Sequence, residues 1–178
     1  MKYLVQLCFS VMALLLLLQS MQARAEIQNY RLGAGDTIII KVYGEDALTL
    51  ETQITNSGTI NYPFLGPLTL IGLTIKEVEQ IVYRGLKGDY FVEPNVFVGM
   101  VEYRPFYIHG EVKKPGGYPY QPGMTVNQAV ALAGGLTERA SQEKIAISRE
   151  GSKVESERGT INSAIQAGDT ITIEQRFF

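Results

Sequence analysis

The stretch that most constrains the fold of this chain is residues 106–136, FYIHGEVKKPGGYPYQPGMTVNQAVALAGGL. Apolar and polar residues alternate over residues 106–112, and this period of two predicts a strand with one buried and one solvent-exposed face. The Lys-Lys-Pro-Gly-Gly segment that follows is a turn, because proline presets φ and glycine accepts a positive φ. Tyr118 and Tyr120 then begin the return strand of a hairpin.

A helix follows this hairpin. Thr125 is a good N-cap and Gln128 stands three residues later, which is the spacing of a capping box. Gly134 and Gly135 end the helix through a left-handed residue. A hairpin with a helix over its face is the opening of a β-grasp. We expect positive φ at Gly116 and Gly135, so that valine at either position costs about 1–3 kcal/mol of stability.

The N-terminus reads as a secretory signal peptide of residues 1–25. Lys2 gives a positive start, residues 4–18 are mostly apolar, and Ala23-Arg24-Ala25 is a cleavage site before Glu26. The alternative is an uncleaved anchor, although the apolar run is shorter than the ~20 residues that a spanning helix needs. Cys8, the single cysteine, lies inside the apolar run, so we expect no lipid anchor and no thiol in the mature chain.

Charge and motif content exclude several classes of function. Without the signal peptide the chain keeps 14 basic residues against 18 acidic ones and has no basic stripe, so nucleic acid is not an expected partner. No phosphate-binding glycine loop, nucleophile elbow or multi-histidine metal motif occurs, and we expect no cofactor and no catalytic residues. His109 is interpreted as a surface or interface residue. The sequence leaves open a pair of carboxylates that meet in space, as a glycosidase requires.

The remaining segments predict a first domain before residue 105 and the rest of the β-grasp after it. Residues 37–43 form a strand, 52–55 and 59–62 a hairpin, and 96–103 a strand. A helix begins at Thr74, with Glu77 completing a capping box. In the second domain, residues 144–149 form a strand, 160–166 a short helical turn, and 170–174 the last strand. The segment Ala-Gly-Asp-Thr-Ile occurs twice, beginning at Ala34 and at Ala167. We interpret them as one turn used twice, with the aspartate capping its own turn.

Segments 110–118 and 125–136 resemble the soluble-ligand-binding β-grasp (SLBB) domain of the polysaccharide export family. YRLGAGD at 30–36, GTINYPFLG at 58–66 and YFVEPNV at 90–96 resemble that family's N-terminal export domain. The implied fold class is α+β, with a signal peptide at 1–25, an export domain at 26–104 and an SLBB domain at 105–178. The residues predicted to have a structural role in these motifs and in the two Ala-Gly-Asp turns are Gly35, Asp36, Gly58, Pro63, Gly66, Pro94, Gly110, Pro115, Gly116, Thr125, Gly134, Gly135, Gly168 and Asp169.

The resemblance implies a non-enzymatic periplasmic component of a capsule or exopolysaccharide export machine. Longer family members end in a helix that forms an outer-membrane pore, and this sequence shows no such helix before Phe178. The implied protein is therefore a ring-forming conduit or adaptor that associates with the outer membrane through partners. Those partners are the polysaccharide, further copies of the chain, an inner-membrane polysaccharide co-polymerase and a separate outer-membrane β-barrel protein. A monomeric periplasmic glycan-binding module is the alternative.

Ten tyrosines and no tryptophan make aromatic contact the expected mode of recognition. Tyrosine rings lie against the apolar faces of sugars, and they are equally common at protein interfaces. Oligomer contact is favoured over sugar contact. The predicted contact residues are Tyr103, Tyr107, His109, Tyr118 and Tyr120.

Overall fold

The computed structural model describes residues 30–152 and 156–176, so the predicted signal peptide lies outside the described residues. Two helices and ten strands make up the regular structure of these residues, together with one 3₁₀ turn at Asp46–Leu48. In chain order they are β1 (Thr37–Val42), β2 (Leu50–Gln53), β3 (Thr59–Tyr62), β4 (Gly66–Thr69), α1 (Ile75–Leu86), β5 (Val96–Glu102), β6 (Phe106–Gly110), β7 (Gly116–Tyr118), α2 (Val126–Leu132), β8 (Ala140–Ser148), β9 (Glu157–Gly159) and β10 (Thr170–Gln175).

The first half of the chain is built on a three-stranded antiparallel sheet in the order β2-β1-β5. Alternate residues of β1 are buried, as a strand with one covered face requires. Helix α1 adds its apolar stripe of Val78, Val82 and Leu86 to the same core. The predicted Thr74–Glu77 capping box is present: the Glu77 N–H donates to Thr74 Oγ1 and the Thr74 N–H donates to the Glu77 carboxylate.

The predicted hairpin between residues 52–55 and 59–62 is wrong. Strand β2 pairs with β1, while β3 forms its hairpin with β4, where Thr59 lies opposite Thr69 and Tyr62 opposite Gly66. The Ile54 N–H donates to the carbonyl of Asp36, so the end of β2 is held on the strand that precedes it. The polar turn at 56–58 therefore leads from one sheet to another instead of reversing one hairpin.

The second half is a five-stranded sheet in the order β7-β6-β10-β8-β9. Its first strand, β6, and its last, β10, are parallel neighbours in the middle, with Ile108 opposite Ile171. Helix α2 buries Val126, Ala129 and Val130 against this sheet, and the side chains form a core separate from that of the first half. Parallel central strands flanked by antiparallel ones, with a crossing helix, are a β-grasp. The predicted α+β class is confirmed.

Two local predictions in this half are wrong. Gly116 does not have a positive φ, and a Cβ there would meet open space, whereas Gly135 has a φ of 95° as expected. Residues 160–166 form a turn and an isolated bridge instead of a helical turn. The physical reason is that the carbonyls of this segment accept hydrogen bonds from the start of α2: the N–H groups of Val126 and Asn127 donate to the carbonyls of Ser163 and Ile161.

Within the described part of the chain, neither helix has the length and apolarity to cross a membrane.

Candidate functional site at the domain junction

The two Ala-Gly-Asp turns take the same structure and meet where the two halves join. Asp36 and Asp169 are both buried, with relative exposures of 0% and 1%. Each carboxylate accepts a hydrogen bond from the backbone N–H three residues earlier, from Gly33 at 2.8 Å and from Gln166 at 2.7 Å. The aspartates therefore cap their own turns, as the sequence indicated, and each also lies beside an arginine.

Asp36 has more partners than a turn requires. The hydroxyl of Tyr30 lies 2.8 Å from both carboxylate oxygens. The backbone N–H of Arg104 donates to Oδ1 at 2.8 Å and its Nη1 donates to Oδ2 at 2.9 Å. A buried carboxylate is tolerated only when it is paired and its lone pairs are occupied, and Asp36 meets both conditions.

Arg104 links the two halves. Its Nε donates to Glu150 Oε2 at 2.6 Å, and Glu150 follows β8 in the second sheet. Its neighbour Pro105 accepts a hydrogen bond from the Gly168 N–H, so the second Ala-Gly-Asp turn is held at the same point. A Cβ on Gly33 would overlap the Arg104 guanidinium, so a larger residue there would require Arg104 to move away from Asp36 and Tyr30.

Burial and charge shift the ionisation of this cluster. Burial, reinforced by the carboxylate of Asp36, raises the pKa of Tyr30 well above its usual value, so the phenol stays protonated and donates. Burial acts to lower the pKa of Arg104, but Tyr30, Asp36 and Glu150 outweigh it and the pKa is raised. Burial raises the pKa of Asp169 against the opposing effect of the Gln166 N–H and Arg149.

Aromatic rings close the junction. Tyr103 packs edge-on against Tyr30 with ring centroids 4.8 Å apart, and against Tyr120 at 5.6 Å. Tyr120 is 7% exposed. These rings pack beside the Arg104 cluster, where Tyr103 stays partly exposed, and a contact role for Tyr103 and Tyr120 stays a prediction.

The five predicted contact residues do not share one surface. Tyr118 is half-buried, stacks on Phe106 and donates its hydroxyl to the Lys114 carbonyl. Tyr107 and His109 alone lie on the open face of β6, where His109 Nε2 is 3.1 Å from the hydroxyl of Thr172. Their role as contact residues stays a prediction.

Sequence reasoning missed Tyr30, Arg104 and Glu150 as junction residues. A signal was available, because Arg104 stands at the predicted domain boundary and two buried-turn aspartates each need a cation. Across residues 30–152 and 156–176, no group of three or more potential metal ligands comes together. What the geometry provides is a fully bonded polar connector between two small domains, together with open surfaces for binding.

Comparison with known proteins agrees with this architecture. Residues 24–101 match the sequence model of the polysaccharide biosynthesis/export proteins, and residues 105–157 match that of the SLBB domain. The fold and these matches define a chain of the polysaccharide export class, with one export domain followed by one SLBB domain. The protein belongs to the polysaccharide biosynthesis/export family.

Three curated relatives are named for the production, export or transport of polysaccharides. The chain is 34% identical over 154 residues to the exopolysaccharide production protein ExoF of Rhizobium meliloti (strain 1021), covering 78% of this chain and 36% of ExoF. It is 26% identical to the EPS I polysaccharide export outer membrane protein EpsA of Ralstonia nicotianae, over 85% of this chain and 49% of EpsA. It is 28% identical to the polysialic acid transport protein KpsD of Escherichia coli, over 72% and 23%. The chain thus spans less than half the length of each relative.

Proposed function

We propose that this protein is a periplasmic, non-enzymatic part of a machine that exports capsule or exopolysaccharide, and that it works as a ring of identical copies. The observation that supports this proposal most strongly is that the Arg104 cluster joins the export domain to the SLBB domain. A connector whose buried charges are all paired gives the two domains one fixed arrangement, and a ring of repeated copies requires such a fixed arrangement.

Support for the cargo comes from the family. Its models describe polysaccharide biosynthesis and export, and the three relatives are named for exopolysaccharide production, polysaccharide export and polysialic acid transport. The periplasmic location rests on the Ala23-Arg24-Ala25 cleavage site. An inner-membrane co-polymerase and a separate outer-membrane protein are the partners we expect.

Deletion of the gene in its own host tests the proposal. We expect polymer synthesis to continue while secretion stops, with polymer retained inside the cell, and the intact gene to restore secretion. Unchanged secretion would contradict a role in export. Loss of synthesis would instead assign the protein to polymer assembly.

Light scattering of the purified mature protein separates the ring from the alternative. A mass several times that of the monomer supports the ring. A monomer that binds glycans supports a periplasmic glycan-binding module, which the exposed aromatic side chain of Tyr107 favours.

A further inference from the structure

The tip of the β3–β4 hairpin carries an unusual residue. Phe64 has a φ of 65°, and among the described residues it is the single non-glycine residue with a positive φ. A bulky side chain in this region is unfavourable, because its Cβ crowds the backbone. Such outliers persist where the surrounding structure forces them, and they concentrate at functional sites. Phe64 is also 62% exposed, so core burial does not account for it.

The neighbours of Phe64 hold it in this position. Leu65, the next residue, packs against the first core and lies so close to Gly85 of α1 that a Cβ there would be 2.8 Å from Leu65 Cδ1. The glycine in α1 thus makes a notch for Leu65. With Leu65 fixed inward, the turn directs Phe64 outward into solvent.

A second ring lies beside it. The centroids of Phe64 and Tyr90 are 4.9 Å apart and their planes are tilted by 35°. Tyr90 is 47% exposed and Val92, two residues on, is 90% exposed. The Tyr90 hydroxyl is 3.5 Å from the Phe64 carbonyl, which is a long hydrogen bond that leaves the hydroxyl able to engage another partner. We call Phe64 and Tyr90 the aromatic tip.

Polar groups flank the aromatic tip in the chain. Lys87 Nζ lies 3.0 Å from Glu93 Oε2, and the Tyr83 hydroxyl donates to Glu93 Oε1 at 2.7 Å. Lys87 and Glu93 are therefore paired with each other. Apolar ring faces that carry a hydroxyl group suit a molecule with apolar C–H faces and many hydroxyls.

We infer that the aromatic tip is a glycan-contact site, where Phe64 and Tyr90 bind sugar rings of the exported polymer. The inference rests on the proposed function, because the export family supplies a polysaccharide as cargo. A second copy of the chain is a less suitable occupant, since the centre of a protein interface is depleted of charged residues and the exposed Asp89 directly precedes Tyr90 in the chain.

Photocrosslinking in secreting cells identifies the occupant. p-Benzoylphenylalanine replaces Phe64 in the full chain, and the same residue at Leu132, which is 49% exposed on the other domain, is the matched control. Illumination should give a high-mass smear that stains for glycan from position 64 and not from position 132. A discrete dimer band, a band with another protein or no crosslink at position 64 would overturn the inference.

A Phe64→Gly variant separates binding from folding. Glycine accepts the left-handed conformation, so we expect the thermal midpoint to be equal to or above that of the wild type. Secretion by cells that carry this variant at normal protein level should fall about tenfold, the change in binding that about 1.4 kcal/mol produces. Tyr90→Ala should act in the same direction, and Leu132→Ala, at an exposed apolar residue of α2 outside the aromatic tip, should leave secretion unchanged.

The two proposals fail in different ways. If deletion of the gene blocks secretion but Phe64→Gly and Tyr90→Ala secrete like the wild type, the glycan site is wrong and the export role stands. If deletion itself leaves secretion intact, the export role fails.

Discussion

At the scale of single residues, Gly110 is the glycine that the β-grasp needs most. It ends β6 with a φ of 86°, and a Cβ there would overlap the carbonyl oxygen of Ile173. The close approach arises because β10 lies parallel beside β6, with Gly110 opposite Ile173. A side chain at this position would therefore meet both a strained backbone and a backbone atom that cannot move aside.

We predict that Gly110→Ala lowers the free energy of unfolding by at least about 1–3 kcal/mol, the usual penalty for a non-glycine residue in such a conformation. Gly116→Ala is the matched control in the same hairpin, since Gly116 has no positive φ and open space around it. Its effect should stay within about 0.5 kcal/mol. Urea unfolding followed by circular dichroism measures both, and equal midpoints for the two variants would contradict the assignment.

At the scale of elements, the two helices begin with the same sequence signal but depend on it differently. Both capping boxes are present, Thr74–Glu77 for α1 and Thr125–Gln128 for α2. Helix α2 has the Thr125 N–H bonded to Gln128 Oε1, and the carbonyls of residues 161 and 163 accept its next two N–H groups. The tertiary structure therefore does for α2 part of what side-chain capping does for α1.

We predict that Thr74→Ala costs about 1 kcal/mol and Thr125→Ala clearly less. The Thr74 effect should depend on pH. Hydrogen bonds from the Thr74 backbone and side chain lower the pKa of Glu77 in the folded state, so its contribution is present at neutral pH and is lost as the pH falls through that lowered value. The gap between wild type and Thr74→Ala should therefore narrow in acid. Equal losses for the two threonines, or a gap that widens in acid, would contradict this reading.

Elements whose signals are local could be predicted from the sequence, and elements set by distant partners could not. The capping boxes, the Gly135 stop and the β6–β7 hairpin are encoded within a few residues of each other. The pairing of β2 with β1, and of the 161–163 carbonyls with α2, depends on strands and helices far along the chain. The Arg104 cluster escaped prediction for the same reason, because its partners Tyr30, Asp36 and Glu150 lie 46 to 74 residues away.

At the scale of the whole molecule, Arg104 is the residue on which the arrangement of the two domains depends. Its side chain is 15% exposed and bonds Asp36 and Tyr30 on one side and Glu150 on the other. Arg149 provides a matched comparison: it pairs with the buried Asp169 at the equivalent turn, and both residues belong to the second domain.

We predict that Arg104→Ala destabilises the protein by about 3–5 kcal/mol, because it leaves the buried Asp36 carboxylate without its cation. Hydrogen exchange should accelerate in both Ala-Gly-Asp turns, at residues 33–36 and 166–169. Arg149→Ala should accelerate exchange at 166–169 and leave 33–36 as in the wild type, since no contact of Arg149 reaches the first domain among the bonds described.

Glu150→Gln should cost at most about 1 kcal/mol, because the Glu150 side chain is 49% exposed and half-exposed ion pairs contribute little. Exchange at 33–36 that is unchanged in Arg104→Ala would show that the two domains are held together by the Tyr30, Tyr103 and Tyr120 rings instead of by this ion-pair cluster.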